Sequence, residues 1–284
     1  MELFGNTKEL SIEELIKKIK LKGTLKALPD FYVNKEIQDF KRTRPRADFK
    51  EIFKEVRKRL HESYGAFQTR RKKKRLLYLE ELKLAIEENW DKPENEEMKK
   101  IRQRILETNV SSRERLEADY EKLYNELKGE VGHELKTIMD LGSGINPVLF
   151  QPDDFKKVKI LAYDIDKNDV DFLNKYFKVM RLDGVAKVLD IHDLKAVEKL
   201  PRVDVALLYK IIDPLERRGH KFSEMLIQKI KSKYLIVSFA TRTISRKPMN
   251  HPQRGWFEAM VKRLGMKYKT IKTKNEIYYV VKKK

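Results

Sequence analysis

The chain has 284 residues, with 64 Lys and Arg against 44 Asp and Glu, a net charge of +20. No apolar run approaches the roughly 18 residues a transmembrane helix needs. The polar, acidic start MELFGNTKELSIEEL is unlike a secretory signal, so a cytoplasmic protein is expected. Cysteine is absent, which excludes disulfides, thiolate metal sites and any mechanism that attacks a pyrimidine ring through a thiolate. The five histidines (His61, His133, His192, His220, His251) are scattered without metal-ligand spacing, so no metal is expected.

The basic surplus favours a polyanionic partner, because each phosphate neutralised releases counterions. It is uneven. Residues 41–80 carry 15 basic and 5 acidic side chains, residues 81–130 carry 10 and 14, and residues 241–284 carry 13 and 2. Heat adaptation explains many charges of both signs, but not this segregation.

In chain order, the first 130 residues read as an all-helical, basic RNA-binding domain. Leu10, Ile12, Leu15, Ile16 and Ile19 mark a first helix, with Ser11 as cap and Glu14 three residues on. ADFKEIFKEVRKRLHESYGAF is a second, striped by Phe49, Ile52, Phe53, Val56 and Leu60. TRRKKKRLLYLEELKLAIEENW, NEEMKKIRQRILETN and SSRERLEADYEKLYNELKGE are three more. The run Arg70, Arg71, Lys72, Lys73, Lys74, Arg75 opens the third helix at its electropositive end, which the macrodipole disfavours. An external anion is one explanation; a solvated charged face is the other.

From residue 131 to 284, short β-rich runs alternate with helical patterns. TIMDLG, KILAYDID, AKVLDIH, DVALLYK and YLIVSFA are candidate strands; NDVDFLNKYFKVM and RRGHKFSEMLIQKIKS are helices between them. Alternation of this kind implies a parallel sheet covered on both faces. KYKTIKTKNEIYYVVKKK reads as an antiparallel hairpin through Lys-Asn. The expected fold is α/β, a class I (Rossmann-like) methyltransferase sheet of seven strands with an antiparallel final hairpin.

DLGSG places Gly142 and Gly144 where the first strand ends, and glycine admits positive φ and close approach of a ligand. Asp164 ends the second strand, 22 residues beyond Gly142, where an acid can accept from a ribose diol. Asp190 ends the third and can reach an adenine amino group. Each acid alone could be a turn or cap residue; all three in register outline a nucleoside pocket, with Ile165 and Ile191 beside them. A dinucleotide fingerprint needs a third glycine before a pyrophosphate-binding helix. Here Ile-Asn-Pro follows, which favours S-adenosyl-L-methionine.

Four segments resemble the small-subunit ribosomal RNA methyltransferases that confer aminoglycoside resistance and modify guanine at N7. They are SSRERLEADYEKLY (Ser111–Tyr124), DLGSGINPVLF, LLYKIIDPLERRG (Leu207–Gly219) and SFATRTISRKPMNHPQRGWFEAM. The chain departs from that family at Ser143, where Cys is usual, at Ala240, where Pro is usual, and at SRKPMN, which replaces a glycine-rich stretch. The Lys- and Glu-rich, Cys-free composition fits a housekeeping homologue from a heat-adapted or archaeal cell.

The resemblance implies that Arg115 pairs with the donor carboxylate, and that Gly142 and Gly144 line its methionine portion. It also implies that Lys210 and Glu216 position the target base, with no general base. An i,i+4 partnership of Arg115 with Asp119 is the structural alternative. Arg242, Arg246, Lys247 and Arg254 are candidates for RNA phosphates, and Trp256 for stacking on a flipped base. Adjacent Trp256 and Phe257 should split, one to the core. A monomer acting on structured RNA, ribosomal before transfer RNA, is expected; a non-catalytic ribosome-assembly protein is the alternative.

Overall fold

In the computed structural model, residues 11–21, 23–88, 95–116, 120–131, 135–150, 155–215, 220–243 and 247–283 are described. Two compact units divide between Ala66 and Phe67. The change of character near residue 130 is therefore the start of the sheet, while the compact units part some sixty residues earlier.

The first unit holds α1 (Ile12–Lys20), α2 (Asp30–Thr43) and α3 (Phe49–Ser63). Ser11 and Glu14 form the expected capping box. In α3, Ile52, Val56 and Leu60 are buried, as the stripe requires. α2 escaped the sequence reading. Its apolar residues Tyr32, Val33, Ile37 and Phe40 keep helical spacing, with Pro29 at the N-cap. Arginines brace the small core: Arg57 donates to the Ile19 carbonyl at 2.8 Å, and Arg59 lies 5.0 Å from the Phe40 ring centre.

The second unit begins with a tight 3-10 turn, Arg70–Lys74, leading into α4 (Arg75–Glu88), α5 (Glu96–Leu106), α6 (Val110–Leu116) and α7 (Tyr120–Val131). The sheet follows: β1 (Thr137–Leu141), β2 (Lys159–Asp164), β3 (Gly184–Val188), β4 (Val203–Tyr209), β5 (Ser232–Ala240), β6 (Lys267–Lys272) and β7 (Glu276–Lys282). Between strands lie α8 (Lys167–Val179), α9 (Leu194–Glu198), α10 (Ile212–Leu215), α11 (His220–Lys229) and α12 (Gly255–Arg263).

The strand order is β3-β2-β1-β4-β5-β7-β6. β1 to β5 are parallel, and β7 runs antiparallel to both β5 and β6. The order reverses at β1, which opens a crevice at the carboxyl ends of β1 and β4, where open α/β sheets bind ligands. Alternate residues feed two cores. Ile138, Ile160, Val205 and Ile236 face the layer of α4, α5, α7 and α8. Met139, Leu161, Ala206 and Val237 face the layer of α10, α11 and α12. α4 and α5 thus cover the sheet: Leu79, Leu82, Ile101 and Ile105 belong to its core.

A buried charge cluster fixes α4 to α8. Arg75, 3% exposed, bonds the Asp169 carboxylate at 2.6 Å and the Thr108 hydroxyl at 2.8 Å. Lys72 reaches Asp166 and Asp169. Burial alone would raise the Asp169 carboxyl, but Arg75 and Lys72 hold it below the usual carboxylate range. The basic start of α4 is thus partly answered from inside the protein. Asp169→Asn leaves the Arg75 charge buried with its main partner gone. We expect a loss of about 3–5 kcal/mol in chemical denaturation; an unchanged midpoint would refute the tie.

Candidate functional site

The turn after β1 is bound to β2 by backbone alone. Gly142 N–H and Ser143 N–H both donate to the Tyr163 carbonyl, at 2.8 and 3.0 Å. Gly142 has φ 71° and Gly144 φ 49°, the left-handed region that glycine enters without penalty. A Cβ on Gly142 would lie 2.8 Å from Ile211 Cδ1, so Ile211 would have to shift to admit a side chain there. Pro147 is the second residue of a 3-10 turn, Asn146–Leu149, a position in its first turn that suits a fixed φ. Arg102 donates to the Val148 and Phe150 carbonyls around it, at 2.7 and 2.9 Å.

Asp164 lies at the end of β2 and accepts from Gly144 N–H at 2.7 Å and Asp166 N–H at 2.8 Å. Burial, with Asp169 nearby, pushes its carboxyl up to about 7. Ile165 is half-buried beside it. Asp190 sits two residues beyond β3 rather than in it. One of its oxygens accepts from His192 N–H at 2.9 Å and lies 3.0 Å from the His192 ring. Ile191 is buried, its Cδ1 3.5 Å from where a Gly142 Cβ would stand. The glycine turn and the residues Ile191 and Ile211 therefore share one corner of the crevice.

Behind the turn is a second buried cluster that the sequence did not announce. Asn146 donates to Asp140 Oδ2 at 2.7 Å and accepts from Arg115 Nη1 at 3.1 Å. Arg115 Nε lies 3.0 Å from Glu276 Oε1, and its guanidinium 4.8 Å from the Tyr209 ring centre. Burial opposes the Arg115 charge, but the Glu276 carboxylate keeps its pKa raised. The structure thus pairs Arg115 with Glu276; Asp119 lies outside the described residues.

Lys210 has φ 56° at the end of β4. Its Nζ donates to Glu114 at 2.5 Å and lies 3.1 Å from Glu276. The Lys210 ammonium is thereby held by two carboxylates beneath the crevice, a placement its motif did not reveal. Glu216 and Arg246 lie outside the described residues.

Asp140 is 1% exposed, and its Oδ1 has no partner among the described residues. Burial pushes its carboxyl up to about 6, against the Asn146 bond and Arg115. A buried carboxylate oxygen without a partner is costly unless a ligand supplies one. A cationic donor with an α-ammonium group fits it, and the neighbouring Arg115 suits a carboxylate. The residues present fit S-adenosyl-L-methionine.

The basic candidates separate. Arg70, Lys73 and Lys74 are exposed and make no ion pair among the described residues; Arg71, also exposed, pairs with Glu107. Arg75 is internal, and Lys72 points to Asp166, so the expectation of RNA contact is corrected for these two. It is corrected for Arg254 as well. That guanidinium grips Asp213 at 2.8 and 3.2 Å and lies over Phe239, locking the start of α12 to α10. Phe257 is fully buried, while Trp256 is half-buried and edge-on to Phe239. Lys247 is exposed and Arg242 half-buried. Arg242 lines a cleft of about 290 Å³ with Pro248, Met249, Lys272 and Lys274. Those two lysines were legible only as part of the basic C-terminal segment. A separate cavity of about 140 Å³ under α7 is lined by Leu127, Val131, Phe150, Phe155 and Leu207. Its lining is mainly apolar, with Tyr124, Lys128 and Tyr209 as its polar members.

Sequence reasoning missed Asp140, Glu114, Ser238 and Glu276. Glu276 left a signal: it is one of two acids among 13 bases after residue 240, and it opens an otherwise apolar strand.

A 16S rRNA (guanine(1405)-N(7))-methyltransferase of Frankia casuarinae is 25% identical over 241 residues, which is 84% of this chain and 82% of the relative. One from Proteus mirabilis is 27% identical over 246 residues, 82% of this chain and 84% of the relative. The crystal structure of the 16S rRNA methyltransferase RmtF in complex with S-adenosyl-L-homocysteine has the same fold. Its TM-score is 0.76 at 20% identity, covering 99% of this chain and 100% of that one. Residues 37–280 match the ribosomal RNA methyltransferase (FmrO) family as a whole, and the chain belongs to it.

Proposed function

We propose that this protein transfers a methyl group from S-adenosyl-L-methionine to N7 of a guanine in small-subunit ribosomal RNA. The nucleotide is the counterpart of the one named in its curated relatives. It works as a single chain in the cytoplasm, where its substrate is. The observation that carries the reading is the crevice at the ends of β1 and β4, where buried Asp140 and Arg115 flank a glycine turn.

When bound, the donor supplies an electrophilic methyl carbon on a positively charged sulfur. The chain does the rest by holding. Asp140 Oδ1 accepts from the donor ammonium, and Arg115 faces its carboxylate. Gly142 and Gly144 give the methionine chain bare backbone to lie against. Asp164 accepts from the ribose, and Asp190 with Ile191 bounds the adenine. Guanine N7 has a lone pair at neutral pH, so no residue has to remove a proton. Catalysis rests on alignment, an effect of about 7–11 kcal/mol when reacting atoms are held in line. The half-buried Trp256 offers a ring for the displaced base. Arg70, Lys73, Lys74 and the Arg242–Lys272–Lys274 cleft hold backbone phosphates.

Tritiated methyl transfer to small ribosomal subunits, followed by strand cleavage at N7-methylguanine, tests the reaction. One labelled guanine is expected; label in another base, in ribose or in transfer RNA overturns it.

Donor affinity should depend on pH. Protonation removes the charge Asp140 and Asp164 offer, so calorimetric affinity should weaken as pH falls through about 7 and then about 6. Fold stability moves the other way. Both carboxyls are raised above their unfolded value of 3.8, so their contribution is fully present below it and lost as pH rises through about 6 and 7. An affinity flat across this range contradicts the assignment.

Gly142→Ala forces a Cβ into Ile211 at a positive φ, a strain of about 1–3 kcal/mol. Donor binding should fall about tenfold or more while the circular dichroism spectrum is kept; undiminished binding would show that the turn does not touch the donor.

A further inference from the structure

Glu276 is 1% exposed and opens β7, opposite Ala240 of β5. Its Oε1 lies 3.0 Å from Arg115 Nε and 3.1 Å from Lys210 Nζ. Its Oε2 accepts from the Ser238 hydroxyl at 2.6 Å and from Arg115 Nη2 at 3.4 Å. Ser238 Oγ in turn accepts from the Lys210 backbone N–H at 3.1 Å, at the residue with φ 56°. One carboxylate thus holds both cations of the site and, through Ser238, the strained end of β4. Burial opposes its charge, but Arg115 and Lys210 together keep its pKa below the usual range.

The charges do not cancel. The cluster has three carboxylates, Asp140, Glu276 and the partly exposed Glu114, against two cations, Arg115 and Lys210. Without Glu276 the count would be even. With it the cluster is one charge negative, and the orphaned oxygen of Asp140 marks where a positive charge is wanted. On the ribose side, Asp166 and Asp169 balance Lys72 and Arg75, and Asp164 adds a negative charge in the same sense as pH rises through about 7. S-adenosyl-L-methionine carries one net positive charge, through its sulfonium. S-adenosyl-L-homocysteine, the thioether left after transfer, is neutral.

We infer that Glu276 is a positioning residue that determines donor selectivity. It holds Arg115 and Lys210 in place, and its charge makes the buried site prefer the sulfonium donor over the thioether product. This rests on the donor site described under the proposed function. The preference matters to turnover, because loss of the methyl group removes the charge that the site attracts and so favours exchange of product for donor.

Calorimetry on the full chain with each of the two ligands separates selectivity from scaffolding. Glu276→Gln keeps the shape and the Ser238 bond but removes the charge. It should lower the ratio of the thioether Kd to the sulfonium Kd about tenfold, the order expected when one charge is removed from a partly buried site. Glu276→Asp keeps the charge and should restore the ratio even if both affinities fall. Lys210→Met removes a cation and should move the ratio the opposite way. These last two variants carry the test if Glu276→Gln does not fold. Equal weakening of both ligands in Glu276→Gln, or a ratio unmoved by charge in the Glu276→Asp and Lys210→Met pair, overturns the inference and leaves the donor site standing. Wild-type protein that binds neither ligand overturns the donor site itself, and this inference with it.

Discussion

The ion pair of Arg115 with Glu276 is the interaction on which the site depends, because it joins parts of the chain 161 residues apart with both side chains buried. Arg115 comes from the helical segment before the sheet, and Glu276 from the last strand. Each would be costly to bury alone. Together they draw in Asn146 behind the glycine turn, Ser238 on β5 and Lys210 at the end of β4. The final antiparallel strand is therefore more than an extension of the sheet. It delivers the carboxylate that lets two cations stand below a binding crevice, and its register with β5 determines where that carboxylate arrives.

A second buried cluster has the same construction on the other side of the crevice. Lys72 and Arg75 come from before the sheet, and Asp166 and Asp169 from the start of α8. Asp166 also caps α8, and its backbone N–H donates to Asp164. The side chain assigned to the ribose thus stands next to the ion pairs that fix α4 and α8 together. The basic run Arg70–Arg75 divides its work accordingly: Arg75 and Lys72 hold the fold, and Arg70, Lys73 and Lys74 face solvent.

Alkylation of a ring nitrogen with its own lone pair requires no acid–base pair for proton transfer. What the structure invests in is position. Gly142, Gly144 and Lys210 all adopt the left-handed region within one corner of the sheet, and at Lys210 a non-glycine residue is held there by backbone bonds to Ser238. Such strain persists where the surroundings over-determine it. The carboxylates of Asp140 and Asp164 are raised by burial, a state tolerable in a protein whose ligand brings compensating charge.

The sequence by itself determined the seven strands and their directions, most of the long amphipathic helices and the glycine turn with Asp164 at the end of β2. These are local signals: periodicity of 2 or 3.6, capping residues, and glycine or proline at chain reversals. The missing third glycine after Gly144 and the proline at Pro147 were equally local, and together they indicated a donor without phosphate. Tertiary structure decided which charges face water. Arg75, Lys72 and Arg254 are indistinguishable in sequence from Arg70, Lys73 and Lys247, because the acids that claim them, Asp169, Asp166 and Asp213, lie from 41 to 94 residues away. It also decided that Glu276 meets Arg115 and that the compact units part after Ala66. Pairings of that kind are set by how the sheet twists and stacks its layers, and no short stretch of chain records them.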